Sequence, residues 1–319
     1  MDYPICYLIL CHNNPKNIKE LIEALCADDA YFVIHIDKKS QDDFSFLSTL
    51  PNVYLVHNRV SITWGDITVI DAVLNLARSA IESFPFAHYY CLLSGADFPV
   101  KSHNYIKNYL SRNGNKDYIQ GIPFPSPKTQ WIEGGRRRLE AYVLPLNSHS
   151  NATIEPRRIS IENLRQLCKV LLLNTKSVSK AIDIWKSYPT RKFPFEFQPY
   201  AGEMWWMLSN ETLKKVLSWN HQNPEYYEYH LNSQVPDEMY INTIVWNISK
   251  CVCGDIKRYI SWVKKTDQSP CWMTYDKDFG VIDNSIKNPD ILFIRKIKDE
   301  KLIDYIKSQI QDVKNEVQK

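Results

Sequence analysis

Apolar residues run almost without a break from Ile5 to Cys11, from Tyr31 to Ile36 and from Tyr89 to Leu93. Short runs of this kind predict strands buried on both faces, as in a parallel sheet. A shorter run spans Val53 to Val56. Between the runs the period changes. Ile18, Leu21, Ile22 and Leu25 recur at helical spacing after Asn13-Asn14-Pro15, and Ile67, Ile70, Val73, Leu74 and Ala77 do so after Trp64-Gly65-Asp66. Another helix is predicted from Tyr105 to Arg112. This order predicts an α/β fold with a mostly parallel central sheet flanked by helices.

Past residue 120 the pattern loosens. Residues 121–200 are rich in Pro, Arg and aromatics and read as irregular, apart from an amphipathic helix from Ile161 to Leu173. Trp205-Trp206 falls on a strand, Met239 to Trp246 is helix-like, and Arg258 to Trp262 is a short strand. In the tail, Leu302, Ile303, Ile306, Ile310 and Val313 share one helix face. That face suits packing on the domain, with peripheral membrane contact as the alternative. No repeat or linker divides the chain.

The 319 residues are 44% hydrophobic, enough for a sizeable core. A net charge of +3 argues against nucleic acid as partner but allows a local basic pocket. Of the eight cysteines, Cys6, Cys11 and Cys91 lie in apolar runs, there is no Cys-x-x-Cys, and Cys251-Val252-Cys253 lacks a second close pair for zinc. All eight read as reduced and structural. No segment approaches the roughly 18 apolar residues of a membrane span, and Met1-Asp2-Tyr3-Pro4 does not begin a signal peptide. The expected location is the cytoplasm, with peripheral association at the inner face of the membrane as an option.

In parallel sheets, ligands bind beyond the carboxyl ends of the strands. Three polar clusters are predicted there: Cys11-His12-Asn13-Asn14, Asp37-Lys38-Lys39 and Ser94-Gly95-Ala96-Asp97. No Gly-x-Gly-x-x-Gly or Gly-x-x-x-x-Gly-Lys is present among the nine glycines, so side chains would have to meet phosphate charge. Pro236-Asp237-Glu238 opens the Met239–Trp246 segment. Its acids fit either a first-turn cap or a positioned general base, with Asp237 the better cap. Arg136-Arg137-Arg138 fits a solvated turn or an anion contact. Asp276-Lys277-Asp278, the one Asp-x-Asp, reads as a surface turn or helix cap.

Tyr7 to Pro15, His35 to Ser40, Trp64-Gly65, Leu92 to Lys101, Gly202 to Ser209, Pro236-Asp237-Glu238 and Leu292 to Lys296 together resemble the core-2/I-branching β-1,6-N-acetylglucosaminyltransferase family, glycosyltransferase family 14. The similarity covers nearly the whole chain and is greatest to bacterial members. It implies one GT-A type nucleotide-sugar-binding domain over residues 1–319, with 1–120 as the donor half and 121–319 as the acceptor and catalytic half. It also implies inverting transfer from a UDP-sugar, with UDP-N-acetylglucosamine the first choice and UDP-xylose an alternative. The acceptor would be a glycan or glycolipid, and no metal is expected. By position, Glu238 would be the general base, and His12, Asp37, Asp97, Arg295 and Lys296 would bind the donor. Trp262, Lys128 and Arg137 would line the acceptor site. The family's second diphosphate-binding Arg has no clear match, and Lys264, Lys265 and Arg295 are the substitutes.

Overall fold

A computed structural model describes residues 3–316, apart from 115, 130, 148–149, 157–159, 174–178, 180–181, 184–185, 187–190 and 263–268. Its strands, in chain order, are β1 (Ile5–Cys11), β2 (Ala30–Ile36), β3 (Val53–Leu55), β4 (Tyr89–Ser94), β5 (Asp97–Pro99), β6 (Asp117–Ile119), β7 (Ile122–Pro123), β8 (Tyr142–Asn147), β9 (Ser150–Ile154), β10 (Tyr200–Ala201), β11 (Trp206–Ser209), β12 (Val252–Cys253), β13 (Arg258–Ile260) and β14 (Phe293–Arg295). Seven of them form the central sheet in the order β12-β6-β11-β4-β1-β2-β3. β1 runs parallel to β2 and β4, β2 to β3, and β12 to β6. Only β11 is reversed, against both β4 and β6. The sheet is therefore mostly parallel, as the strand-helix alternation requires.

The continuous apolar run of β1 is explained by burial on two faces. Ile5, Tyr7, Ile9 and Cys11 belong to one core, with side chains of α1 (Pro15–Leu25) and of the helix Glu300–Glu316. Cys6, Leu8 and Leu10 belong to the other, with side chains of α2 (Thr68–Ser83) and of the helices Asn210–Gln222 and Tyr240–Ile248. Leu302, Ile303, Ile306 and Ile310 are buried in the first core, so the tail packs on the domain. α1 starts where the Asn17 N–H donates to the side-chain oxygen of Asn14 at 3.2 Å, with Pro15 in the first turn. No helix among the described residues is long and apolar enough to cross a membrane.

The region expected to be irregular holds a β8–β9 hairpin. Leu144, Leu146, Ala152 and Ile154 pack there against Leu167 and Val170 of the helix Ile161–Leu173. Pro145 interrupts the alternation and hid the strand signal. Asp278 accepts the Thr274 N–H at 2.8 Å at the start of the helix Tyr275–Lys287, and Asp276 pairs with Lys301 at 3.0 Å on the surface. The Asp-x-Asp is thus a helix start.

Candidate active site

The parallel register places the ends of three strands together, with Cys11 opposite Ile36 and Leu10 opposite Ser94. His12, Asp37 and Ser94 therefore share one rim. His12 is exposed. Asp37 is buried and closes its own turn: its Oδ1 accepts the Lys39 N–H at 2.8 Å, while its carbonyl accepts from Arg59 Nη2 at 2.6 Å. Beside it opens a pocket of about 530 Å³ lined by Lys38, His57, Arg59 and Arg78 among others. Its lining is basic, but neither Arg295 nor Lys296 belongs to it.

A smaller sheet, β13-β14-β5, brings the distant carboxyl-terminal segment to the same rim. Arg295 lies opposite Asp97 in its register. Asp97 is buried, accepts the Ser94 N–H at 2.5 Å, and faces Arg295 Nη1 at 3.3 Å and Arg258 Nε at 3.8 Å. Its carboxylate is thus committed to two guanidinium groups and an amide, which leaves it poorly placed as a lone metal ligand. Trp205 supplies the floor, its ring lying 4.2 Å from the Arg295 guanidinium and 4.9 Å from that of Arg258. Lys296 follows directly, half-buried, with Nζ 2.5 Å from Ser269 Oγ. Burial and the neighbouring Arg295 hold its ammonium below the usual lysine range. Trp262 is 39% exposed, next to Ser261, whose N–H donates to the Arg295 carbonyl at 3.3 Å. The alternatives Lys264 and Lys265 lie outside the described residues.

Glu238 arrives on a short 3₁₀ turn, Pro236–Glu238. The turn is built by two backbone contacts from motifs far away in the chain. Val235 sits at φ +48°, rare for a β-branched residue, and its N–H donates to the carbonyl of Gly65 at 3.1 Å. Gly65 itself is at φ +72°. The Gly202 N–H donates to the Glu238 carbonyl at 2.8 Å, and any Cβ on Gly202 would come within 2.6 Å of the Gln120 carbonyl. Gly65 and Gly202 are therefore scaffolding for this turn, whereas Trp64 is exposed.

Arg138 Nη1 donates to Glu238 Oε2 at 2.7 Å, and its guanidinium stacks 3.8 Å over the Trp131 ring. Arg137, the expected acceptor contact, instead pairs with Glu155 at 2.8 Å. Of the three arginines it is Arg138 that the structure brings to Glu238. Helical geometry turns successive side chains about 100° apart, so the triplet could not say which one would reach inward. Lys128 is exposed in a turn held by the Ser126 hydroxyl. Asp237 is not a cap: the helix Tyr240–Ile248 starts without a side-chain cap bond, and Asp237 Oδ1 is buried without a hydrogen-bond partner. Burial, then the Glu238 charge, pushes the Asp237 carboxyl up to about 7.

Two charged residues that bear on the site were assigned no role from sequence. Glu203 is half-buried, and its carboxyl feels Glu238, Arg295, Arg258 and Asp97 together. Burial first, and Glu238 second, push it up to about 7. Arg258 is buried, with Nη2 donating to the Leu92 carbonyl at 3.0 Å and with Nε and Nη1 lacking a hydrogen-bond partner. The available signal was a charge inside an apolar run: Glu203 within Ala201–Leu208, and Arg258 at the head of a strand.

The family model "Core-2/I-Branching enzyme" matches residues 5–283. Among curated relatives, β-1,3-galactosyl-O-glycosyl-glycoprotein β-1,6-N-acetylglucosaminyltransferase 3 of Homo sapiens is 26% identical over 137 residues, 41% of this chain and 31% of that protein. The Ovis aries protein of the same name is 27% identical over the same shares, and a like-named enzyme of Bovine herpesvirus 4 is 26% identical. The match thus spans less than a third of the length of these relatives. Among solved structures, the apo form of mouse xyloside xylosyltransferase 1 aligns over 92% of this chain and 97% of its own with 9% identity and a TM-score of 0.37, too low to carry an argument.

Proposed function

The chain belongs to the core-2/I-branching enzyme family, and from that premise we propose that it is an inverting glycosyltransferase moving a sugar from a UDP-sugar to a glycan hydroxyl, with Glu238 as general base. N-acetylglucosamine is the donor sugar proposed, because the curated relatives bear that name. The observation that carries the reading is convergence. The Gly202 N–H bonds the Glu238 carbonyl at 2.8 Å, the Trp205 ring three residues on lies 4.2 Å from the Arg295 guanidinium, and Arg295 Nη1 lies 3.3 Å from Asp97, so separate segments of the chain meet around the Ala201–Leu208 run. This meeting supports a reading in which the base and the cluster of fixed cations serve one site.

The chemistry follows from that pairing. The acceptor hydroxyl attacks the anomeric carbon as the bond to the diphosphate oxygen breaks, and Glu238 takes the hydroxyl proton. Arg138 orients the Glu238 carboxylate through the 2.7 Å bond. Diphosphate leaves well only if its developing charge is met, by a metal or by fixed cations. Arg295 and Lys296 are proposed for that task, which makes a metal unnecessary. Asp37 and His12 are proposed donor contacts, and Trp262 offers a flat face to the acceptor sugar.

The test is turnover of UDP-N-acetylglucosamine by wild type and Glu238→Gln. Loss of the base should lower kcat by about 10²–10⁴-fold while donor affinity stays within about threefold. Near-normal turnover in Glu238→Gln removes the base assignment. Activity lost to EDTA and restored by manganese removes the role given to Lys296 and Arg295. Turnover of UDP-xylose but not UDP-N-acetylglucosamine changes the donor and leaves the mechanism.

A further inference from the structure

The helix Ile161–Leu173 has two apolar faces and uses one of them in the fold. Leu167 and Val170 are buried against the β8–β9 hairpin. Ile161, Leu164, Cys168 and Leu172 recur at helical spacing on the other side. At about 100° per residue they fall within an arc of about 80°, turned away from the hairpin. All four are exposed, Ile161 to 75%, Leu164 to 59% and Leu172 to 82%. Single exposed apolar side chains are ordinary on a protein surface. An aligned row along a whole helix is not, and it marks a face that meets something else.

The charges beside the row say what it meets. Arg165 and Lys169, both exposed, border it on one side. Arg165 has a surface partner in Glu162 at 3.9 Å, a pair that contributes little in water. In the sequence, residues 161–186 hold five Lys and Arg against two Asp and Glu, a net +3 that equals the net charge of the whole chain. The rest of the chain is therefore neutral, and the positive excess lies where the apolar row lies. An apolar row bordered by cations, on a helix too short and polar to span a bilayer, suits the boundary between headgroups and acyl chains. The cations then meet anionic headgroups. A second copy of the same face would set like charges against each other, which disfavours self-association.

We propose that this face docks the protein on an anionic membrane surface, with Ile161, Leu164 and Leu172 entering the interface and Arg165 and Lys169 on lipid phosphates. The proposal goes beyond the transferase reading and needs neither the donor nor the base. It does bear on the acceptor. The Glu155 N–H donates to Asn163 Oδ1 at 2.9 Å, and Asn163 Nδ2 donates to the Glu155 carbonyl, so the end of the hairpin is tied to the start of this helix. The Glu155 carboxylate pairs with Arg137, next to the Arg138 that bonds Glu238. Docking through this helix thus holds the arginine segment near a surface on which a lipid-borne glycan is presented.

The test is co-sedimentation of the full chain with vesicles of phosphatidylcholine alone and of phosphatidylcholine mixed with phosphatidylglycerol. Binding to the mixed vesicles, weakened by salt, is the expected result. Leu164→Glu combined with Leu172→Glu should lower it at least about tenfold. Arg165→Gln combined with Lys169→Gln should lower it by about fivefold per cation. All four side chains are exposed, so the midpoint of thermal unfolding should not move. Should the leucine variant unfold early, the charge variant carries the test alone. No binding to the mixed vesicles overturns the proposal, and equal binding to phosphatidylcholine alone overturns the role given to anionic headgroups. Binding unchanged in both double variants overturns the assignment to this face. A dimer in sedimentation equilibrium that the leucine variant dissociates, with no vesicle binding, overturns it in favour of self-association. Each of these outcomes leaves the transferase reading to its own test.

Discussion

Replacing Asp237 by Asn should stabilise the protein at alkaline pH relative to its effect at acid pH. The Asp237 carboxyl is raised from its ordinary 3.8 to about 7, by burial first and by the Glu238 charge second. Its Oδ1 has no hydrogen-bond partner, and its own backbone amide and the Arg138 charge offset the ionised form only in part. A group whose folded pKa is raised contributes stability below its unfolded pKa and loses it as pH climbs through the folded pKa. The window here runs from about 4 to about 7. Between pH 5 and pH 8 the linkage amounts to about 2.6 kcal/mol as an upper bound. Relaxation and water entry into a half-buried site reduce this, so about 1–2 kcal/mol is expected. Asn keeps the shape and cannot ionise. The assay is urea denaturation of both proteins at pH 5 and pH 8, comparing the difference in unfolding free energy. His35 and His230, held below the usual histidine range chiefly by burial, titrate in both proteins and cancel in the comparison. An Asn effect equal at the two pH values, or more destabilising at pH 8, refutes the crowding of carboxyls at this turn.

Arg138→Met removes the 2.7 Å bond to Glu238 and the stack on Trp131; a loss of about 1–3 kcal/mol is expected by denaturation, and a loss below about 0.5 kcal/mol would show the pair to be incidental. Gly65→Ala forces a Cβ onto a residue at φ +72°, whose carbonyl accepts the Val235 N–H. It should cost about 1–2 kcal/mol and lower kcat more than donor affinity. Gly65→Asn, which tolerates that conformation better, should recover part of both.

The sequence by itself determined the parallel half of the sheet, β1 to β4, but not the short edge strands β6 and β12 or the reversal of β11. β1, β2 and β4 are buried on both faces, so nearly every residue is apolar, His35 and Ser94 being the exceptions, and that demand is visible without a partner strand. It also exposed Asp37, Asp97 and Glu238, because a charge placed against an apolar run stands out. What it could not give was the pairing of residues distant in the chain. Arg137 and Arg138 are equivalent in one dimension; only the packing of their helix sends one to Glu155 and the other to Glu238. Asp237 looked like a cap because caps are local, yet the turn before it is set by Gly65 and the turn after it by Gly202, and these leave its Oδ1 without a hydrogen-bond partner. Glu203 and Arg258 acquire meaning only in the folded chain, since the energy of a buried charge depends on which charges surround it and at what distance. Local propensity is a property of the chain; an electrostatic site is a property of the fold.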